Sequence, residues 1–397
     1  MKRGLIVAAV VLTGLTMRVA VTSIGAVLTD LQQGLGISAG VAGVLTTLPV
    51  LAFAGMGMLT PPLAHRHGEH RLVAAALLLA TLGLAGRAVV SSVWWFGLLS
   101  LLALAGGAIA NVLMPALVKR HFPDRVGLLT ATYTTCLAIG STAAAGLSVP
   151  IAHAFGSWRW GIGAWAVLTA LALLPWLPTL RHDRPADPSD PARHRLPLAR
   201  MARTRLGWAM VLVFGSQSMQ AYIVFGWFTD FFRHNSLSAA TAGALVAFYS
   251  ALSIPISAAI PTLTARRPRE LVLVLGASNV VCYLGMLLAG GHGAWIWMLF
   301  GGVGSGYFPM TLTLIGLRSR DLRVTAALSA FTQGIGYLIA GTGPLLVGLL
   351  LDVFADNWTG PLLLLLIANA ICFGFALYLV HPRFVDDELT APAAITA

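Results

Sequence analysis

Charged residues are scarce in this 397-residue chain. Asp, Glu, Lys and Arg make up only 10% of it, hydrophobic residues make up 57%, and the mean hydropathy is +0.83. An average soluble domain has about 25% charged residues. The composition therefore excludes an ordinary soluble domain and predicts a protein that crosses a lipid bilayer many times.

Cysteine and reactive clusters are also lacking. The three cysteines, Cys136, Cys282 and Cys372, lie in apolar runs and lack the spacing of a disulfide framework or a zinc site. The sequence has no phosphate-binding glycine motif and no nucleophile paired with a base. We therefore expect neither enzymatic activity nor a cofactor or metal.

Long apolar runs dominate what is present. A helix needs about 20 apolar residues to cross about 30 Å of hydrocarbon. Twelve such runs fit the chain: 5–28, 39–63, 72–90, 94–118, 127–152, 160–178, 207–231, 239–264, 271–290, 294–317, 324–351 and 360–380. The sequence predicts an all-α membrane protein with twelve transmembrane helices.

The positive charges are sorted by membrane side. Of the 25 Lys and Arg residues, all but Arg18, Arg87, Arg159 and Arg233 lie at the termini or in the loops that follow even-numbered spans. The positive-inside rule then predicts that both termini are cytoplasmic, in a bacterial inner membrane. The net charge of +11 is thus a topology signal that favours contact with lipid headgroups and not with nucleic acid.

The second half of the chain repeats the first. An offset of 200 residues carries Thr29 and Asp30 onto Thr229 and Asp230, and Arg66 onto Arg266. We expect two parallel six-helix halves, 1–180 and 206–381, joined by a cytoplasmic linker at 181–205 and followed by a tail at 382–397. This organisation matches the major facilitator fold, in which substrate binds between the halves.

Residues 105–135, AGGAIANVLMPALVKRHFPDRVGLLTATYTT, resemble a segment of the cyanate permease and 2-nitroimidazole transporter family. MRVAVTSIGAVL from Met17 and VLTTLPVLAF at 44–53 are similar to that family's first two helices. The resemblance implies alternating-access transport of a small anionic or polar organic solute. The chain departs from the family at Thr16, Val19 and Ala26, and His65 stands at the acidic position of the general superfamily loop between helices two and three.

Arg18 lies near the middle of the first span, and no Asp, Glu or Lys lies at comparable depth in any span. A cation at the bilayer centre costs about 3 kcal/mol or more, so it faces a protein interior and has a partner. We predict that the partner is the substrate's anionic group, which a guanidinium can bind with two parallel hydrogen bonds. Backbone carbonyls or water are the alternative.

Other polar residues share the depth of Arg18. They are Thr22, one turn along the same helix; Gln217 and Gln220 on the repeat-related seventh span; and Tyr249, Tyr307, Gln333 and Tyr337. We predict that they bind substrate. Hydrogen bonding between helices of the bundle is the alternative for each.

A second set of residues suits gating or structure. Asp30 and Asp230 occupy equivalent outer ends of spans one and seven, and Arg87 lies near the outer end of span three, where we expect it to reach the headgroups or one of these aspartates. Asn111 and Tyr133 lie near the cytoplasmic ends of their spans. Arg66 and Arg266 belong to loops that we expect to latch helices on that side.

Three functions remain open on the sequence alone. The first is secondary transport of a small anion, by a monomer, with a proton or an exchanged anion as coupling ion. The second is broad drug efflux, through a pocket rich in Met and aromatic residues. The third is a membrane sensor that binds solute without moving it.

Overall fold

The computed structural model describes residues 3–182 and 198–390. Most of the predicted linker, residues 183–197, and the last part of the tail, residues 391–397, lie outside the described residues. Within the described residues the chain is helical and contains no strand.

The first six spans agree with the sequence prediction, except that two of them are interrupted. Span 1 consists of three helices, Arg3–Thr16, Val19–Ala26 and Leu28–Leu35. Spans 2 to 5 are the single helices Ala39–His67, Glu69–Val89, Val93–His121 and Val126–Ala154. Span 6 comprises Trp158–Gly163 and Trp165–Leu173, and it continues into the tighter turns Leu174–His182.

The other six spans follow the same order. Spans 7, 8 and 9 are Arg205–His234, Ala239–Arg266 and Pro268–Ala289. Span 10 is divided into Ala294–Gly304 and Tyr307–Leu317, and spans 11 and 12 are Leu322–Val353 and Thr359–Val380. The described residues contain twelve helical segments long and apolar enough to cross a membrane, which confirms the predicted number.

The helix starts follow the internal repeat. The Ser38 hydroxyl oxygen accepts a hydrogen bond from the amide of Val41, and the Ser238 hydroxyl oxygen accepts one from the amide of Thr241. Each serine caps the first turn of its helix by satisfying an amide that has no partner within the helix. Spans 2 and 8 therefore begin alike because the same capping residue recurs 200 positions later.

Three helix pairs make most of the contact between spans 1–6 and spans 7–12. Span 2 packs against span 11, span 5 against span 8, and span 1 against span 7. Span 7 is the most enclosed, since 83% of its apolar window is buried, against 33% for span 12. Span 7 thus lies at the centre of the bundle, packed against span 1.

The two ends of the bundle differ. We call the end that carries the start of span 1, the end of span 12 and the Arg66 and Arg266 loops the terminal end, and the opposite end the distal end. At the distal end, the Thr29 hydroxyl donates to Asp230 at 2.8 Å and Arg233 pairs with Asp30 at 2.8 Å. These contacts join span 1 to span 7.

Backbone contact closes the distal end further. A Cβ added to Gly25 would overlap the carbonyl oxygen of Phe225, and the Thr229 hydroxyl donates to the Gly25 carbonyl oxygen. The two helices can approach this closely because glycine has no side chain at the crossing.

Span 11 also ties down the start of span 2. One carboxylate oxygen of Asp352 accepts from the Gly40 amide at 2.6 Å and from the Ser38 hydroxyl at 3.1 Å. Nearer the middle, the Thr47 hydroxyl donates to the Gly341 carbonyl at 3.1 Å. The distal end is therefore closed.

Candidate functional site: a central cavity with one charged side chain

A cavity of about 800 Å³ lies between spans 1–6 and spans 7–12. Side chains from spans 1, 2, 4 and 5 line one wall, and side chains from spans 7 to 11 line the other. This volume is within the usual range of small-molecule sites, about 300–1,000 Å³. The cavity is therefore large enough for an organic solute and its water.

The cavity opens towards the terminal end. Along span 8 its wall runs from Tyr249, near the middle, to Ser257 and Pro261, which are exposed. On the other wall it reaches Asn111 and Tyr133. Since the distal end is closed, solute has access from the terminal end.

Arg18 lies where span 1 is interrupted. The first helix ends at Thr16 and the second begins at Val19, and Met17 bonds back three residues to Gly14 instead of four. The Arg18 carbonyl then accepts from the amides of Val21 and Thr22. The break places a long cationic side chain at the start of a new helix, on the cavity wall.

The Arg18 guanidinium has no hydrogen-bond or ion-pair partner among the described residues, and it lies 5.8 Å from the centre of the Phe308 ring. Tyr222, Tyr249 and Tyr337 are close enough to interact electrostatically with it. Arg18 is also the only charged side chain among the described residues of the cavity wall. The site thus has a net positive charge and hydroxyl groups around it.

Thr22, Gln217 and Gln220 line the cavity with Arg18. The Thr22 hydroxyl donates to the Arg18 carbonyl at 3.2 Å, so its hydrogen is used within the helix. Gln217 donates to the neighbouring Ser218 hydroxyl at 2.6 Å. Gln220 belongs to a larger network described below.

Tyr249, Gln333 and Tyr337 also reach the cavity. The Tyr249 ring packs edge-on against Phe225, and the Tyr337 ring packs against Phe214 with 5.0 Å between centres. Gln333 donates to the Ser329 hydroxyl one turn earlier at 2.8 Å.

Tyr307 lies away from the cavity. Its side chain is fully buried and its hydroxyl donates to the Val272 carbonyl at 3.2 Å. It has the expected depth, but it lies on the side of span 10 that packs against span 9. We therefore leave it out of the proposed substrate contacts.

Arg87 contacts neither the headgroup region nor Asp30 or Asp230. It is fully buried, and its guanidinium donates to the Ala20 carbonyl at 3.0 Å and to the Ser23 hydroxyl at 2.8 Å. Both acceptors lie on the second helix of span 1. Arg87 thus braces the segment that follows Arg18, and this contact differs from the sequence expectation.

The other predicted gating residues lie at both ends. Asp30 and Asp230 join spans 1 and 7 at the distal end, as described above. Arg66 and Arg266 are exposed at the terminal end.

Sequence reasoning missed several residues of the cavity wall. Asn279 and Tyr283 of span 9 line it, and so do Tyr222 and Phe308. The spacing of Asn279 and Tyr283 was a usable signal, because residues four apart share a helix face and both interrupt an otherwise apolar span. Tyr222 and Phe308 stand among so many other aromatic residues that no sequence pattern singles them out.

A pair of histidines lies near the terminal end of spans 3 and 4. The Nε2 atoms of His70 and His121 are 2.7 Å apart, and Arg120 pairs with Glu69 beside them at 3.2 Å. Burial, as the main cause, and the neighbouring His70 and Arg120 together lower the pKa of His121 to about 4. His121 is therefore neutral at physiological pH.

The family model named Major Facilitator Superfamily matches residues 8–341. The chain belongs to the major facilitator superfamily. This transporter also has the fold of a solved bacterial homologue of the human lysosomal transporter Spinster, in its inward-facing and unoccupied conformation. That structure gives a TM-score of 0.77 at 15% identity and covers 96% of this chain and 98% of its own.

Curated relatives match along nearly the whole transporter. An uncharacterized transporter of Bacillus subtilis, YycB, is 34% identical and covers 94% of this chain and 92% of its own. The Escherichia coli 2-nitroimidazole transporter is 32% identical over 91% of each chain, and the E. coli cyanate transport protein CynX is 27% identical over 86% and 89%. The resemblance noted in the sequence is confirmed, and the chain is a multi-pass secondary transporter of a small molecule.

Proposed function

We propose that this transporter carries a small, planar anion, or a polar solute with an acceptor-rich group, and that Arg18 anchors it. The observation that carries the proposal is an unpaired guanidinium on the wall of a cavity in which no described side chain is acidic. A carboxylate, nitro or cyanate group offers the acceptor atoms that a guanidinium binds. The relatives named for 2-nitroimidazole and cyanate carry solutes of this kind.

Basic residues cluster at the terminal end, so we assign that end to the cytoplasm of a bacterial inner membrane. The conformation described above is then the cytoplasm-open member of an alternating-access cycle. Closure around Arg18 and opening at Asp30 and Arg233 would complete the cycle. We expect the monomer to transport.

The membrane potential favours export of an anion. Moving one charge against 100 mV costs about 2.3 kcal/mol, so uptake of an anion needs a co-transported proton or an exchanged anion. The described residues of the cavity wall include no carboxylate or histidine that could carry a proton. Exchange is therefore the coupling mode that needs the fewest additional groups.

Flux in proteoliposomes tests the proposal. Cyanate, 2-nitroimidazole and benzoate would first be screened by thermal shift, since a ligand of the folded state raises the melting temperature. For each probe that binds, we expect Arg18→Gln to reduce the initial rate at least 30-fold and Arg18→Lys to retain part of it. Arg203→Gln removes the same charge from an exposed position before span 7 and is expected to change little.

Equal rates for the wild type and Arg18→Gln, with every probe that binds, would contradict the proposal. Broad efflux is the second candidate, because the rings of Phe53, Tyr222, Phe225 and Tyr249 also line the cavity. It predicts instead that neutral aromatic compounds and cations move as fast as anions and that Arg18→Gln leaves their flux unchanged.

A further inference from the structure

A chain of buried amide side chains runs from span 12 to the cavity. Asn369 donates to the Gly276 carbonyl at 3.2 Å, and Asn279 donates to the Asn369 side-chain oxygen at 3.2 Å. Asn279 also donates to the side-chain oxygen of Gln220 at 3.2 Å. Gln220 and Asn279 line the cavity, whereas Asn369 lies behind them and does not.

Two further bonds complete the network at Gln220. The Tyr283 hydroxyl donates to the Gln220 oxygen at 3.0 Å, and the Gln220 nitrogen donates to the Ser216 carbonyl at 3.1 Å. Asn279, Asn369 and Gln220 are at most 4% exposed, and Tyr283 is 2% exposed. Buried polar groups of this kind are costly unless they are bonded.

The network has one consistent orientation. A carbonyl oxygen only accepts, so the Asn369 atom at Gly276 is the nitrogen and the Gln220 atom at Ser216 is the nitrogen. The Asn369 oxygen therefore faces Asn279, whose two N–H groups are used on Asn369 and Gln220. Rotating any one amide by 180° would place two donors or two acceptors against each other.

This orientation decides what Gln220 offers to a solute. Its oxygen already accepts from Asn279 and Tyr283, and one of its two N–H groups bonds to Ser216. The second N–H has no partner among the described residues, and Gln220 is part of the cavity wall. The wall opposite Arg18 thus presents a hydrogen-bond donor at the position of Gln220.

Span 10 is shaped around the same network. A Cβ added to Gly304 would overlap the Asn279 side-chain oxygen, and the helix is interrupted immediately after Gly304. The glycine lets the backbone of span 10 lie directly against the Asn279 amide. Span 10 therefore supports the amide from the side opposite to Gln220.

We propose that Asn279, Tyr283 and Asn369 are positioning residues that hold the Gln220 amide as a donor, so that the site selects a planar anion with a second acceptor group at its other end. The anionic end binds Arg18 and the second acceptor binds Gln220. This inference rests on the proposed role of Arg18, and it adds the specificity of the opposite wall.

Two probes that differ only at the far end test it. Benzoate has acceptors at one end, whereas 4-nitrobenzoate carries a nitro group at the other. We expect the wild type to bind 4-nitrobenzoate about threefold to tenfold more tightly, as measured by calorimetry, because one extra hydrogen bond contributes by about that factor. Equal affinities for both probes, or no binding of 4-nitrobenzoate, would overturn the proposal.

The variants Gln220→Leu, Tyr283→Phe and Asn369→Ala are expected to bring the affinity ratio towards one, and Asn369→Ala is expected to leave benzoate binding within twofold. Asn369→Ala is the most telling, since this residue lies outside the cavity wall. Adding it to Gln220→Leu should change the ratio no further, because both act through one amide. A general loss of packing would instead weaken both probes equally, and that result would contradict the proposal.

Should Asn369→Ala fail to fold, Tyr283→Phe keeps the ring and removes only the donor, so the ratio can still be measured. The variant Arg18→Gln tests the role of Arg18 separately. Arg18→Gln should weaken both probes together, and if it weakens neither, the proposed function fails whatever the ratio between the probes.

Discussion

The two walls of the cavity have the same fold and different chemistry. The repeat aligns Arg18 of span 1 with the stretch from Gln217 to Gln220 of span 7. Arg18 lies at a break between two short helices and has no bonded partner among the described residues, whereas Gln220 lies within the single helix Arg205–His234 and makes three side-chain hydrogen bonds. The wall with Arg18 supplies a positive charge, and the wall with Gln220 supplies an amide held in a fixed orientation.

This difference has a physical basis. A guanidinium on a long side chain can follow an anion as the halves move, and its attraction does not depend strongly on angle. A hydrogen bond weakens steeply with angle, so its donor must be held in place. A solute that keeps contact with both walls through a conformational cycle needs one adaptable contact and one fixed contact.

Reversing the charge at Arg18 should have the largest effect on anion transport. We expect Arg18→Glu to lower kcat/KM for an anionic probe at least 100-fold, because an attraction of about 4 kcal/mol at 4 Å becomes a repulsion. Initial uptake rates in proteoliposomes measure this. Ser257→Glu adds the same charge at the exposed mouth of the cavity and should have a much smaller effect; equal losses would mean that any negative charge in the cavity suffices.

Removing the hydrogen bonds that hold the helix after Arg18 should lower the affinity for the anion about tenfold. Arg87→Met removes the two hydrogen bonds to Ala20 and Ser23 and so frees the second helix of span 1. We expect the chain to fold, since Met fills much of the same buried volume and removes a charge that is costly to bury without an ion-pair partner. Calorimetric titration of the probe measures the loss.

Arg159→Gln is the matched control for this variant. Arg159 also donates to backbone carbonyls, those of Ala88 and Val90, but these lie at the distal end of span 3 and not on span 1. An unchanged affinity in Arg87→Met, or the same loss in Arg159→Gln, would separate Arg87 from the positioning of Arg18.

The contact between the walls should contribute less. Phe308 of span 10 faces the Arg18 guanidinium, and a cation–π contact of this type is worth about 0.5–2 kcal/mol. We expect Phe308→Leu to raise KM for the anion about threefold to fivefold at unchanged kcat. Phe53→Leu, which removes a ring that packs on Tyr337, should not raise KM to the same extent.

The smallest effect concerns pH and spans 3 and 4. The pKa of His121, about 4, is below the ordinary value of 6.5, so the unfolded chain binds its proton first as the pH falls. His121 therefore destabilises the fold as pH falls from about 6.5 to 4, and has no such effect at higher pH. We expect the melting temperature of His121→Gln to fall less between pH 7.5 and 5 than that of the wild type.

Transport at pH 7 should be unaffected by His121→Gln, because the residue is neutral there and lies away from the cavity. His292→Gln replaces an exposed histidine and should leave the pH dependence of melting unchanged. A slope in His121→Gln as steep as in the wild type would place the acid-sensitive group elsewhere.

The sequence predicted the fold well because hydropathy and repeat are properties of consecutive residues. The number of spans follows from run length, and the equivalence of spans 1 and 7 in the two halves follows from the offset of 200. The break at Arg18 was not predicted, since residues 16–19 contain no glycine or proline. Depth along a helix was predictable, but the direction of a side chain around it was not.

Three residues illustrate this limit. Tyr307 has the depth of the site and points elsewhere, and Arg87 has the position of a headgroup-seeking residue but lies buried against span 1. Asn279 contacts Asn369, 90 positions later, and such a partner can be found only when the tertiary structure is known. The sequence gives the type of polar group in each case, whereas the group that it contacts depends on the tertiary structure.

The bond between Asp352 and the Gly40 amide gives the transporter an internal reporter of its own cycle. This amide belongs to the first turn of span 2, but its acceptor belongs to span 11, so the bond exists only while the distal end is closed. Each opening frees the amide to exchange its hydrogen with water, at a rate set by the fraction of time for which the two spans are apart. Deuterium uptake at one backbone position can therefore report the conformational equilibrium without any label attached to the protein.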